Sequence, residues 1–277
     1  MPAAAPLSPL YPAGEVEGKA IFFASDLHAG APSRAESISR ERHFVRWLET
    51  HASEAAAFYL LGDLWDFWFE YKHAVPKGHV RLLAALTEVV EAGIPIFFQV
   101  GNHDLWLTGY LTGEIGLRLL PDPYLAEWQG QSFFLSHGHK IGPIRWIDRI
   151  LYAGMENRWL QMLYRWIHPD IGLPLGRFFS GRSRIAHMPM DDIDLGEKEY
   201  TRIFVRSAQD KSPMDWYIFG HRHLAFVERI GRSYLVLLGD WIRRYTYFRF
   251  QMGRWGLYTF DLRGQSSLIM GAEQLPL

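Results

Sequence analysis

The chain has 277 residues, 48% hydrophobic and 15% aromatic, enough apolar surface for one large domain or two small ones. Its 29 Lys and Arg against 30 Asp and Glu leave a net charge of -1, so no global field argues for nucleic acid. With no cysteine, disulfides, zinc–thiolate sites and thiol nucleophiles are excluded, and His, Asp and Asn remain as candidate ligands.

Residues 1–18 are rich in Ala and Pro and lack the basic start of a signal peptide, so they read as a loose leader on a cytoplasmic chain. No uncharged stretch reaches the roughly 20 residues that a membrane span needs. A strand is expected at 19–25. A helix follows at 33–51, with Phe44, Val45, Trp47 and Leu48 forming its apolar face. The apolar run 55–61 is a second strand, 78–92 a helix stopped by Gly93, and 94–100 a third strand. This alternation predicts an α/β layered domain. Segments 121–128 and 131–136 form an antiparallel pair around Gln129-Gly130.

Between 140 and 184 the character changes. Eight basic side chains minus three acidic ones give +5, which leaves -6 for the remainder of the chain. Trp146, Tyr152, Trp159, Tyr164, Trp166, Phe178 and Phe179 lie in the same stretch. Helical spacing runs over 143–167, and Pro169 with Pro174 is expected to break it from a second short helix. The stretch reads as a helical lid, about 140–185, inserted into a single domain of residues 19–277. Its arginines suit phosphate and its Trp and Tyr suit a membrane interface, although a solvated helix with aromatics packed inward fits the same residues. A helix at 195–209 and strands at 214–219, 225–230, 234–238, 245–250 and 256–262 complete a mostly antiparallel C-terminal half. Two sheets packed face to face between helices accommodate both halves, an α/β (α+β) arrangement.

The chemistry collects at strand ends. The run 55–61 stops at Gly62-Asp63, and a carboxylate there can bridge two metal ions. Asp26 and His28 follow the first strand, and two residues apart in extended chain they would face one side and share a metal. Asn102 follows Gly101 and offers an amide oxygen suited to a hard or borderline cation. His103 would contact substrate phosphate, with the neighbouring Asp104 fixing its tautomer. His137 and His139 flank Gly138, and His221 and His223 flank Arg222. Singly, each fits ordinary turn or capping chemistry. Jointly, five strand ends deliver Asp, Asn or His to one edge, a set that favours Mn, Fe or Zn over Ca. Two divalent ions roughly 4 Å apart clamp a phosphoryl group. His43, His51, His73, His79, His168 and His187 lack this context and read mostly as surface or loop residues.

The order Asp-x-His, Gly-Asp-x-x-Asp, Gly-Asn-His-Asp, His, Gly-His-x-His resembles the calcineurin-like metallophosphoesterases. That resemblance implies a β-sandwich flanked by helices. It also divides the ligands, with Asp26, His28, Asp63 and His223 on one ion and Asp63, Asn102, His137 and His221 on the other. Residues 62–71, the Ile141-Gly142-Pro143 that follows the His-Gly motif, the basic aromatic insert and residues 238–242 resemble the UDP-2,3-diacylglucosamine pyrophosphatases of lipid A biosynthesis. This second likeness covers about 19–250. It implies a peripheral enzyme at the inner face of the cytoplasmic membrane, with manganese preferred, that releases UMP and 2,3-diacylglucosamine 1-phosphate. Its lid would shelter acyl chains, with Arg149, Arg158 and Trp159 contacting substrate beside Asn102 and His103. Two positions depart from that pattern: His103 stands where the best-known members have Arg, and His139 where relatives usually have Asp. Neither touches the metal set. A phosphodiesterase of another nucleotide or small ester, and a non-catalytic metal-stabilised lipid-binding scaffold, are the competing readings.

Overall fold

The computed structural model describes residues 8–9, 18–143, 146–191, 193–211 and 213–272. Its elements in chain order are β1 (Ser8–Pro9), β2 (Ala20–Ala24), α1 (Arg34–His51), β3 (Ala55–Leu61), α2 (Val80–Glu91), β4 (Ile96–Gln99), α3 (Tyr110–Gly113), β5 (Arg118–Leu119), β6 (Tyr124–Trp128) and β7 (Gln131–Ser136). Then come the inserted helices α4 (Trp146–Glu156), α5 (Arg158–Tyr164) and α6 (Pro169–Asp191). The chain closes with α7 (Tyr200–Gln209), β8 (Trp216–Phe219), β9 (Ala225–Ile230), β10 (Ser233–Leu238), β11 (Thr246–Gln251), β12 (Arg254–Phe260) and β13 (Ser266–Gly271).

Two mixed sheets stack face to face. One runs β1-β6-β7-β8-β10-β9 and the other β13-β12-β11-β2-β3-β4-β5. Between them lie Phe23, Tyr59, Phe133, Trp216, Phe248 and Phe250, all buried. On the outer face of the second sheet, α1 and α2 bury Phe44, Trp47, Leu82 and Leu86 with Phe22 and Phe58. On the outer face of the first, Val205 of α7 packs with Tyr217, Phe219 and Leu235. The result is a layered helix–sheet–sheet–helix sandwich, in which each sheet shields an apolar face on both sides.

Local chemistry explains the boundaries. Ser33 caps α1 by accepting the Glu36 N–H. Gly93 takes φ +83° just after α2. Asn157 accepts the N–H groups of Trp159 and Leu160, which starts α5 afresh and divides the helix expected over 143–167.

Several expectations are corrected. Pro174 does not end a helix. It sits on an exposed face near the start of α6, where its missing N–H removes one bond from a helix of 23 residues. The C-terminal half is mostly antiparallel as expected, except at β8, which pairs parallel with both β7 and β10. Within the expected loose leader, β1 pairs parallel with β6, and the rest of 1–17 lies outside the described residues. The insert runs on to Asp191 rather than 185. His43, His51 and His79 are buried, not superficial: His43 Nε2 contacts the Phe260 carbonyl at 2.8 Å, and His51 stacks on Phe22.

Candidate metal centre

The parallel strands β2, β3 and β4 end side by side, and the loops leaving them are stitched together through the backbone. The Asp26 N–H donates to the Gly62 carbonyl at 3.1 Å, and the His28 N–H to the Asp63 carbonyl at 2.9 Å. The Trp241 N–H donates to the Asp26 carbonyl at 3.0 Å, which adds the loop after β10. Asp26, His28, Asp63 and His221 all hold positive φ, at 57°, 47°, 52° and 62°. Such conformations are unfavourable for residues with a side chain and persist where surrounding contacts impose them. Asp26 and His28 therefore do not share a side through extended-chain alternation. Two left-handed residues and the neighbouring loops aim them.

Gly62 and Gly101 permit the close approach. At Gly62, with φ +82°, a Cβ would lie 2.5 Å from Nδ1 of His137. At Gly101 it would lie 2.1 Å from Oδ1 of Asp63.

Three overlapping groups form within this edge, each with its ligand atoms inside 4.8 Å of one another: Asp26, His28 and His223; His28, Asp63 and His103; Asp63, His137 and His221. Asp63 is common to two of them. Its Oδ2 lies 3.7 Å from His28 Nε2 and 3.4 Å from His137 Nε2. Asn102 joins through its Oδ1, 3.2 Å from His137 Nε2. Asp66 stands behind His28, with Oδ1 3.6 Å from Nδ1. The seven residues expected as ligands thus meet at one edge.

The donor set fits divalent cations. Oδ1 of Asp26 and both ring nitrogens of His28 are buried without a hydrogen-bond partner. Burial alone would favour neutral groups, yet His223 and His28 hold Asp26 well below the carboxylate range. Asp63 is held low in the same way by His137 and His103. Against the cost of burial, Asp26 and Asp66 push His28 up to about 10, and Asp63 does the same for His137. Buried carboxylates that force neighbouring imidazoles to carry protons are short of positive charge, which a metal ion supplies. Burial and the surrounding histidines push His221 down to about 3 and His139 down to about 2. His139 is buried beside His137, with ring centroids 5.3 Å apart, and meets Tyr152 of α4.

Asp104 departs from its expected role as the partner of His103. Its carboxylate accepts the backbone N–H groups of Gly101, Asp63, Leu64 and Trp65, so it clamps the loops after β3 and β4. Burial first, and then the Asp63 charge, push it up to about 7. His103 is held instead at Nδ1, 3.0 Å from the Asp66 carbonyl and 2.5 Å from Oγ of Ser180 on α6. No catalytic motif marks Ser180, one serine among the residues of a lid helix. The spacing Gly172, Gly176, Ser180 is the signal that was available.

The lid seats on the loops after β3 and β4. Trp106 donates from Nε1 to the Met155 carbonyl at 2.6 Å, and the Tyr164 ring packs on Phe69 and Trp106. Arg149, Arg158 and Trp159 are not brought to the centre by any described contact. They lie exposed on α4 and α5, Trp159 at 76% of its surface.

A fold of two sheets between helices, with Asp, Asn and His gathered where its strands end, defines a metallophosphoesterase. The calcineurin-like phosphoesterase family model matches residues 19–225, and the chain belongs to that family. Membership implies divalent metal ions at the centre and makes the chain a metal-dependent hydrolase. A UDP-2,3-diacylglucosamine hydrolase of Porphyromonas gingivalis is 35% identical over 241 residues, 82% of this chain and 92% of that protein. One from Shigella sonnei is 28% identical over 232 residues, 80% of this chain and 91% of the other. Among solved structures, the Escherichia coli phosphoesterase Yfce overlays with a TM-score of 0.44 at 16% identity, covering 91% of this chain and 98% of that one.

Proposed function

We propose that the chain hydrolyses the pyrophosphate of UDP-2,3-diacylglucosamine to UMP and 2,3-diacylglucosamine 1-phosphate. The observation that carries the reading is Asp63, shared between two His/Asp groups in a chain whose relatives bear that enzyme's name over most of their length. Asp26, His28, Asp63 and His223 would hold one divalent ion, and Asp63, Asn102, His137 and His221 the other. Manganese is the preferred ion, with iron or zinc compatible with the same donors. The two ions supply Lewis acidity toward the phosphoryl group and acidify water.

The protein's own residues do the rest. Asp63 Oδ1 accepts the His103 N–H at 2.9 Å, which sets where that residue begins. His103 turns Nε2 to the scissile phosphate, while Asp104 holds the loops that carry Asp63 and Asn102. The lid holds the lipid. Trp146, Trp159, Leu163, Trp166, Phe178 and Phe179 are each more than half exposed, and Arg149, Arg158, Arg165, Arg177 and Arg182 stand exposed among them. An apolar surface rimmed by cations suits acyl chains and an anionic bilayer, and supports a peripheral position at the inner face of the cytoplasmic membrane. Among the described residues no helix is long and apolar enough to cross a membrane.

The test is cleavage of UDP-2,3-diacylglucosamine in detergent, with manganese and then with chelator, and the products weighed by mass spectrometry. UMP formed only with metal supports the reading. Turnover of a generic phosphodiester without cleavage of the lipid nucleotide retains the centre and removes the substrate.

A further inference from the structure

We propose that Ser180, carried by the lid helix α6, is a positioning residue for the His103 imidazole, so that docking of the lid completes the setting of the phosphate-facing group. This rests on the reading of His103 given above.

The hydrogen-bond partners fix the direction of each bond. Nδ1 of His103 faces the Asp66 carbonyl at 3.0 Å, and a carbonyl only accepts, so Nδ1 carries the hydrogen. The Ser180 hydroxyl donates to that same carbonyl. Its lone pair is then free to accept from Nδ1–H, with Oγ 2.5 Å away. The three groups form a closed set with one consistent assignment, and the neutral ring keeps its hydrogen on Nδ1. Nε2 is left for the reacting side. There the ring meets the His28 ring edge-on, centroids 4.9 Å apart, within the group that also includes Asp63.

The packing of α6 places the serine. Gly172, Gly176 and Ser180 are spaced four apart and lie on one ridge of the helix. A Cβ at Gly172 would fall 2.1 Å from the Tyr71 hydroxyl, and one at Gly176 would fall 2.1 Å from Cζ of Phe67. The ridge therefore lies against the very loop that begins at Asp63 and contains Asp66. At its third position a short hydroxyl reaches the Asp66 carbonyl and His103 together. Docking of the lid and orientation of His103 thus use one surface, and the lid acts on the chemistry as well as on the lipid.

The experiment uses the full chain and bis(p-nitrophenyl) phosphate, a phosphodiester with no lipid, so that a wrong lipid substrate does not blur the result. Ser180→Ala, Ser180→Thr, Gly172→Val/Gly176→Val and His103→Ala are compared with the parent for kcat, KM and bound metal. Nitrogen NMR of 15N-histidine-labelled protein, loaded with diamagnetic zinc, reads the His103 tautomer and the hydrogen bonding of its Nδ1–H. For Ser180→Ala we expect kcat to fall on the order of tenfold, the lower end for removing an outer partner of such a site. Metal content and KM stay at parent values; the Asp66 carbonyl keeps the hydrogen on Nδ1, and the Nδ1 resonance shifts on loss of the serine oxygen. Ser180→Thr keeps the hydroxyl and restores kcat, and the paired valines, which lift α6, reproduce the Ser180→Ala defect. Parent kcat with an unchanged Nδ1 resonance in Ser180→Ala overturns the proposal, and so does a loss of kcat that merely follows loss of metal. Parent kcat in the valine pair overturns the link to lid docking. Parent kcat in His103→Ala instead sinks the role of His103, and the Nδ1 resonance in Ser180→Ala still decides the Ser180 contact.

Discussion

Asp104 accepts the Leu64 N–H at 2.8 Å, across 40 residues of sequence. With the amides of Asp63, Trp65 and Gly101 on the same carboxylate, the contact binds the loop that carries Asp63 to the loop that carries Asn102. Ligand geometry at the shared carboxylate thus depends on a side chain that need not touch metal or substrate.

Asp104→Asn is accordingly expected to destabilise the protein. The amide replaces one accepting oxygen with a donor that faces backbone N–H groups, a loss of about 2 kcal/mol for a buried site. The midpoint of thermal unfolding should drop by roughly 4–8 °C for a chain of this size. Metal affinity should fall with it. An unchanged midpoint in scanning calorimetry would show that the clamp is dispensable.

Asp63→Ala removes the residue common to two groups. Metal-dependent hydrolysis should fall by about 10³ or more, since the ions contribute several kcal/mol to a phosphoryl transition state. Bound metal should fall at both positions, while far-UV circular dichroism stays that of the parent. Retention of full metal stoichiometry in the variant would contradict a bridging role.

Much of this centre was legible because a buried parallel strand announces its end. The run Ala55–Leu61 stops at Gly62-Asp63, and the strand occupies those same seven residues. The order of strand-end motifs located all seven candidate ligands, since residue type and strand-end position are both local features. The left-handed backbone of Asp26 and His28 was not legible, because carbonyls of the Gly62–Leu64 loop impose it from a distance. For the same reason Asp104 was assigned to its neighbour His103, whereas the four amides it serves reach it through the fold. The strand β13, with its exposed Ser266, Ser267 and Leu268, lacks the alternation that marks a half-buried strand. The solvent-facing arginines of the lid show the limit of composition: charge suited to phosphate does not say which way a helix turns it.

Stability toward acid should depend on Glu41. This carboxylate of α1 is buried, lies 3.0 Å from Nη1 of Arg34 and 3.2 Å from Nδ1 of His79, and accepts the Ser37 hydroxyl at 2.5 Å. Burial opposes its charge, but His79, Ser37 and Arg34 outweigh burial and lower its pKa. A carboxyl with a folded pKa below its unfolded one contributes stability that is present above the unfolded value. That stability is lost as the pH falls through the folded value. Glu41→Gln should therefore cost roughly 2 kcal/mol at pH 7, in the range for a charged hydrogen-bonded group. Below about pH 4 the difference should narrow, the parent having lost what the variant never had. Urea titrations across pH 3 to 7 would show it, and parallel stability curves for the two proteins would refute it.

The lid surface can be separated from the chemistry. Trp159 and Trp166 are exposed over 76% and 85% of their surfaces, so replacing them removes no core contact. Trp159→Ser/Trp166→Ser should leave the unfolding midpoint and the hydrolysis of a water-soluble phosphodiester as in the parent. Binding to vesicles containing anionic lipid should weaken by about tenfold or more, as expected if each indole places even part of its apolar area in the bilayer. KM for UDP-2,3-diacylglucosamine presented in vesicles should rise in step. Added salt should weaken binding further in both proteins, since the exposed arginines nearby act through screened charge. Co-sedimentation at two salt concentrations measures both effects. Vesicle binding equal to the parent's would mean that these indoles face something other than lipid.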